Sequence, residues 1–596
     1  MKPIRIPAQW QSRMMAIALA IGYLATAVNS QAAHLDAAQL LPRKTLAFIQ
    51  IPSVPLLVSS FQMTNLGRMV DDPQIQPFMT GMFQAADNAL TKVKDITGLS
   101  LAEIAAIPQG EITLALVPLD DPNSDAIGFV GLVDCGDNIE SAHKFADTVH
   151  HTLETDGFSS RDETVEGFAI SIYEKAGSKS PFVMLERENT MVVCSNVESA
   201  KQILKNWTEG HPDSLSKNRK FTNIMDRCRG TKDEEPQIKF YADPIAIAYQ
   251  VTRDNMAARI GLAVIPSLGL DGVKAVGGSF VFASEDFDGI MHLHLQLGVP
   301  RNGLVDLIAL DSGDDTPPPW VPADVIAYAS FHWNFDQTYT KGTKLWDTFQ
   351  GDGAGARILN DGSNRVLGLN LEQEIIPALT GHLIHLQWIR RPVHFPDSQQ
   401  QLWAIQLRDP SACIETFNKM VDHFGDRFER KICNGATYFH WASKTNDEND
   451  TRPDPSFALW KDWILVADRS GIVEHILSQG DAAESPLSAA LEYKLIASRI
   501  KKQCGATPPG MLTFDRPDEQ WRYWYDLAAS DATRDALKQQ TTKNPNNPFF
   551  SALDQGLSQN PLPPWEAVSK YFAPDGAMLT EDPTGFHYMA FALRRK

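Results

Sequence analysis

Four stretches of this chain recur later in the same chain, in the same order, and any fold for it has to accommodate that repetition. Leu41-Pro-Arg-Lys-Thr-Leu-Ala-Phe-Ile returns as Val321-Pro-Ala-Asp-Val-Ile-Ala-Tyr-Ala. Thr97-Gly-Leu-Ser-Leu followed by Gly110-Glu-Ile-Thr-Leu returns as Leu367-Gly-Leu-Asn-Leu followed by Gly381-His-Leu-Ile-His. Phe182 to Leu204 matches Phe457 to Leu477, and Ser284-Glu-Asp-Phe-Asp-Gly matches Thr580-Glu-Asp-Pro-Thr-Gly. The separations all fall at about 270 to 300 residues. The order predicts two diverged copies of one unit, residues 33–311 and 320–596. Residues 312–319 form a linker stiffened by Pro317, Pro318 and Pro319.

Within each copy the patterning predicts an α+β fold. Leu46 to Ile51, Glu111 to Val117 and Ile127 to Val133 are apolar runs of strand length. Pro73 to Lys94 reads as a helix. Ala142, Phe145, Val149 and Leu153 recur at three and four residues, as do Ile414, Phe417, Val421 and Phe424, which marks amphipathic helices. Phe182–Glu186 with Met191–Cys194, and Val276–Ala283 with Ile290–Leu297, read as hairpins; Lys461-Asp462 holds the turn of a third. Hairpins separated by helices predict a largely antiparallel sheet with helices packed on one face, not a doubly wound parallel sheet.

Residues 1–32 read as a secretory leader. Lys2, Arg5 and Arg13 precede the apolar run Met14 to Val28, and Ser30-Gln31-Ala32 has the small-x-small spacing of a cleavage site, predicting a mature start at Ala33. Formal charge is −19 over 596 residues, and becomes about −22 without the leader. A surface so acidic repels phosphate backbones and argues against nucleic-acid partners. No later segment has the length and apolarity of a membrane span. An exported chain permits disulfides among Cys135, Cys194, Cys228, Cys413, Cys433 and Cys504, with the pairing left open.

The segments LP(x)₃LAFIQIP and LGRMVDDPQIQPFM, followed by TGLSL, resemble an uncharacterised family of exported bacterial proteins. That resemblance implies export and architecture and brings no catalytic residues with it.

Candidate chemistry is sparse. His292 and His294 alternate along one strand face, as two metal ligands would, but the repeat match places Tyr588 and Ala590 at their counterparts. The simpler expectation is the solvated side of a half-buried strand. His382 and His385 fall on opposite faces of another strand, and His150-His151 lie on a helix. Glu285, Asp286 and Asp288, echoed by Glu581 and Asp582, lack the ligand number of a calcium loop. Gly351-Asp-Gly-Ala-Gly-Ala fits a dinucleotide fingerprint only formally, because no buried strand precedes it. No cofactor and no metal is expected. Eleven of the thirteen tryptophans lie at or beyond Trp320. The densest aromatic cluster makes Trp521 and Trp524 the candidate contact residues. The sequence names no ligand and no reaction. It supports a non-catalytic binding or scaffold protein in the periplasm or cell envelope of a bacterium, partnered by an envelope protein or polymer. An envelope hydrolase with an unfamiliar site is the alternative.

Overall fold

The computed structural model describes residues 36–89, 101–121, 125–177, 181–230, 235–393, 398–441, 454–505, 508–543 and, apart from single positions, 554–595. The leader and the Thr97–Ser100 part of one repeat match lie outside these residues.

The strands, in chain order, are β1 (Ala47–Ile51), β2 (Ile112–Pro118), β3 (Ile127–Asp134), β4 (Ser159–Val165), β5 (Phe168–Glu174), β6 (Phe182–Arg187), β7 (Thr190–Cys194), β8 (Ile238–Ala242), β9 (Val273–Phe282) and β10 (Phe287–Leu297). They continue with β11 (Ala327–His332), β12 (Leu379–Ile389), β13 (Gln399–Leu407), β14 (Phe428–Cys433), β15 (Ala436–Trp441), β16 (Ser456–Trp460), β17 (Trp463–Ala467), β18 (Met511–Asp515), β19 (Asp575–Asp582) and β20 (Gly585–Leu593). All pair antiparallel in one continuous sheet. From one edge, the order through the first ten is β4-β5-β6-β7-β3-β2-β1-β8-β9-β10. β10 then pairs with β20. The remainder runs β20-β19-β18-β11-β12-β13-β17-β16-β15-β14 to the other edge. Counting β11 as the first strand of its set, the succession read inward from either edge is the same.

Side chains alternate across a strand, and here both sets are apolar. Phe48, Ala115, Val117, Val130 and Leu132 share one core with Ala200, Ile203 and Leu204 of the helix Val197–Thr208. On the opposite face Ile51 packs with Val54 and Leu57, and Val133 and Met191 pack with Ala142 of the helix Ile139–Thr155. In the second half the helix Ser470–Gln479 sends Ile472, Val473, Ile476 and Leu477 onto Ile384, Leu402 and Leu465. Phe417 of the helix Pro410–Phe424 lies on the other side, against Phe439 and Phe457. Helices therefore cover both faces, not one. The expectation failed because strands such as Ser456–Trp460 bury apolar residues at consecutive positions, Phe457 on one face and Ala458 on the other, so both faces need cover. Local caps fit the helices: Asn196 accepts from Ser199 N at 2.6 Å, and Asp409 caps the helix that opens on Pro410.

The predicted hairpins form, with Lys461 at positive φ in the β16–β17 turn. Phe182–Leu204 and Phe457–Leu477 each supply two paired strands and the following helix, third and fourth from opposite edges of the sheet. Of Pro73–Lys94, Gln76–Ala89 is helical, and residues 90–100 lie outside the description. The Pro-rich segment is no free tether: Asp315 is buried, and its carbonyl accepts from both Tyr328 and Tyr493 hydroxyls at 3.0 Å. All six cysteines are free thiols. Among the described residues no helix is long and apolar enough to cross a membrane.

Candidate functional site: the β10–β20 seam

Where the two halves meet, a single core crosses the junction. Val281, Phe287 and Ile290 from the first half join Met578, Met589 and Phe591 from the second, with the Phe287 and Phe591 rings edge-on at 4.9 Å. Pairing here sets His294 directly opposite His587 and His292 opposite Met589; Met589 in turn faces Met578 on β19. His292 and His294 are buried, not solvated. Their neighbour is His587, and Tyr588 and Ala590 point to the other face. The register explains the miss. The β9–β10 link closes on Ala283 N donating to Asp288 O, whereas Asp582 and Gly585 pair directly in the β19–β20 turn. Matching the two turns by sequence therefore slips the following strand by one residue, which moves every side chain across the sheet. Gly585 makes the tighter turn feasible: its φ is 144°, and a Cβ there would stand 1.9 Å from Leu295 O.

His292 Nδ1 lies 3.1 Å from His587 Nε2, and His294 Nε2 lies 3.2 Å from Thr584 Oγ1. The Nδ1 atoms of His294 and His587 are buried without a hydrogen-bond partner. Burial, aided by Arg227, holds His292 down at about 4; burial and the neighbouring imidazoles hold His587 down at about 3. His294 is lowered for the same first reason. All three are neutral at pH 7.

A cavity of about 890 Å³ opens on this seam. Its walls include Arg227, His292, Arg301, Asp306, Ser312 and Lys341, together with Cys504, Met578, Glu581, Asp582, His587 and Met589. Each cation is matched. Arg227 pairs with Asp582, Arg301 pairs with Glu581 and donates to Asp582 O at 2.6 Å, and Lys341 donates to Asp306 at 2.6 Å. Asp311 is a fourth carboxylate on the wall, so the cavity keeps one negative charge in excess of its three cations. Burial pushes the Cys504 thiol up to about 11, so it is protonated and a poor nucleophile. Thr584 donates its hydroxyl proton to Asp582 at 2.5 Å. That places the hydroxyl between carboxylate and imidazole, so the carboxylate orients no base, as an activated nucleophile requires.

The other candidates fall elsewhere. Asp286 receives both Nη atoms of Arg499 at 2.8 Å, and Asp288 accepts from Asn65 N at 2.6 Å, so these carboxylates are structural partners. Residues 351–353 join two helices, Phe335–Gln350 and Ala354–Leu367, with no strand before them. His385 stacks on Trp403 at 4.3 Å, and His150 meets the Tyr173 hydroxyl at 3.0 Å. His382 lies 3.0 Å from Ser330 Oγ and stacks on His332, but Ser330 is fully buried and out of reach of a substrate. Trp521 and Trp524 sit on the helix Pro517–Ala529 and are 56% and 53% exposed, away from the seam cavity. Trp521 stacks on Phe572 at 5.9 Å. On the sheet face away from the His cluster, Asp515 and Asp575 stand opposite each other. Burial raises them to about 6 and about 7, Asp575 helped by its neighbour's charge.

No family model, no curated protein and no solved structure matches the chain. Among the described residues no three His, Cys, Asp or Glu groups converge as metal ligands. The seam residues His587, Met578, Met589, Arg227, Arg301 and Cys504 were not singled out from the sequence. They come from distant segments, and only the β10–β20 pairing brings them together.

Proposed function

We propose that this chain is a non-catalytic binding protein of the bacterial cell envelope, exported by a leader spanning residues 1–32, with its ligand held in the seam cavity. One observation carries the reading: a large cavity is walled by both halves, yet burial leaves its imidazoles neutral and only weakly basic at pH 7, and its thiol is protonated. Duplication fits the same picture. The strand succession repeated from both edges supports descent of residues 33–311 and 320–596 from one unit, and fusion through β10 and β20 creates a cavity that neither copy has alone. The partner is an envelope protein or polymer. A photo-crosslinking residue at Ser312, on the cavity wall, is expected to capture a partner in intact cells, and the same group placed at exposed Thr164 is expected to capture none. Equal capture at both positions sinks the assignment. Mass spectrometry of the exported protein should find Ala33 first; retained residues 1–32 would remove the leader.

The envelope hydrolase remains as a second reading because of Asp515 and Asp575. Two facing carboxylates with raised pKa values resemble an acid–base pair, and Trp521 and Trp524 lie on the helix that follows Asp515. Under that reading purified protein hydrolyses an envelope polysaccharide and Asp575→Asn abolishes the activity. Under the binding reading neither protein has any.

A further inference from the structure

On the surface of this acidic chain lies a segment that is apolar both inside and out. From Asn255 to Leu270 it carries one charge, Arg259, and no carboxylate, although 73 of the 596 residues are acidic. Met256–Leu262 is helical and capped by Asn255, whose Oδ1 accepts from Ala258 N at 3.0 Å. Turns continue beyond it, with Ala263 N donating to Arg259 O at 3.1 Å and Leu268 N to Val264 O at 3.0 Å. One side faces inward: Ile265 is buried, and Ala258 and Leu262 are half-buried. The outer side is just as apolar. Met256, Ile260 and Val264, spaced by four, are 70%, 68% and 42% exposed. Tyr249 and Val251, at the end of the preceding helix Pro244–Val251, are exposed as well. That helix is fixed to the body, because Gln250 Nε2 donates to Leu119 O at 3.1 Å and to Ala126 O at 2.7 Å. A surface helix ordinarily turns charged residues to water, so an exposed apolar ridge of this kind marks a contact surface.

We propose that residues 255–270 dock on the surface of a lipid bilayer, with Met256, Ile260 and Val264 at the boundary of headgroups and acyl chains and Arg259 at the lipid phosphates. Charge selects this occupant. Arg259 is exposed, and its guanidinium has no ion-pair or hydrogen-bond partner among the described residues. It is therefore free to meet a phosphate, and the acidic residues frequent elsewhere in the chain are missing from the one stretch that would approach it. A guanidinium on a long stem reaches the headgroups while its apolar neighbours stay below them. Tyrosine, here Tyr249, is a residue type that settles at such a boundary. A second copy fits less well: a two-fold contact through this ridge brings two Arg259 side chains together and adds the repulsion of two acidic chains. The segment is too short to cross a bilayer and lies on it.

None of these residues lines the seam cavity, so the surface is tested apart from it. The chain without residues 1–32, whose own apolar run would bind lipid, is floated in a density gradient with vesicles of phosphatidylcholine and phosphatidylethanolamine. The wild type is expected to rise with the vesicles. Met256→Ser with Ile260→Ser changes two exposed side chains, so the melting temperature should hold. Vesicle affinity should fall by about 100-fold, the effect of withdrawing two apolar side chains from the acyl layer. Arg259→Glu should weaken binding independently, because it sets a carboxylate against phosphate. A wild type that stays at the bottom of the gradient overturns the proposal, and so does a double variant that floats as well as the wild type. Sedimentation velocity without lipid that finds a dimer, lost in the double variant, assigns the ridge to a second copy and overturns the proposal too.

Discussion

Replacing His587 with asparagine takes one titrating imidazole out of the seam, and the consequence is read in how stability depends on pH. In the folded chain burial holds this imidazole at about 3, against an ordinary value of 6.5. The unfolded chain takes up a proton that the folded chain refuses. The stability tied to His587 is therefore fully present above about pH 6.5 and is lost as pH falls toward about 3. At pH 5 the loss amounts to about 2 kcal/mol. Glu111, Asp515 and Asp575 act in the opposite sense. Burial raises them to about 7, 6 and 7, so their contribution is present below the ordinary carboxylate range and disappears as pH rises through those values. They affect wild type and variant alike and cancel in the difference. Urea unfolding of both proteins at several pH values between 7.5 and 5 gives that difference. The variant carries a constant penalty for its altered packing, but its gap to the wild type should close by about 2 kcal/mol over the interval. Parallel curves would show that His587 takes up its proton as freely folded as unfolded, and the buried cluster would not exist as described.

Asp575→Asn should stabilise the protein at pH 8 by up to about 4 kcal/mol, since it removes a charge that burial disfavours, and the gain should vanish by pH 4. Denaturant midpoints at the two pH values check this. Trp521→Ala and Trp524→Ala should leave the melting temperature nearly unchanged. Trp463→Ala, at 3% exposure against Trp320, should cost about 3–5 kcal/mol. Calorimetry on the three variants decides it.

Local order was largely readable from the chain. Strand and helix periodicity placed Ile127–Asp134, Ile139–Thr155 and Pro410–Phe424 to within a few residues, because side-chain alternation is set by the backbone repeat of each element. The hairpins followed from their turns. The seam did not. His292 and His294 were noticed as a pair, but their environment depends on β20, about 290 residues away, and on two turns of unequal length. Nothing in the sequence marks Met578 and Met589 as more than core residues; their significance comes from facing each other and His292 across three strands. Trp521 and Trp524 were identified by density alone, and density does not report burial. Other tryptophans of the same half, Trp320, Trp460 and Trp463, fill its core with edge-on ring contacts.

The seam cavity exists only because the two halves share one sheet in the stated register. Met291 and Ala590 are directly opposed across β10 and β20. Their expected Cα separation of about 4.5–5.5 Å falls in the range a disulfide spans. The double variant Met291→Cys with Ala590→Cys, oxidised after folding and mapped by mass spectrometry, should form that crosslink in high yield. Met291→Cys with Met589→Cys places the second thiol on the other face and should form little. Equal yields, or no 291–590 crosslink in folded protein, would contradict the β10–β20 register and the seam site with it.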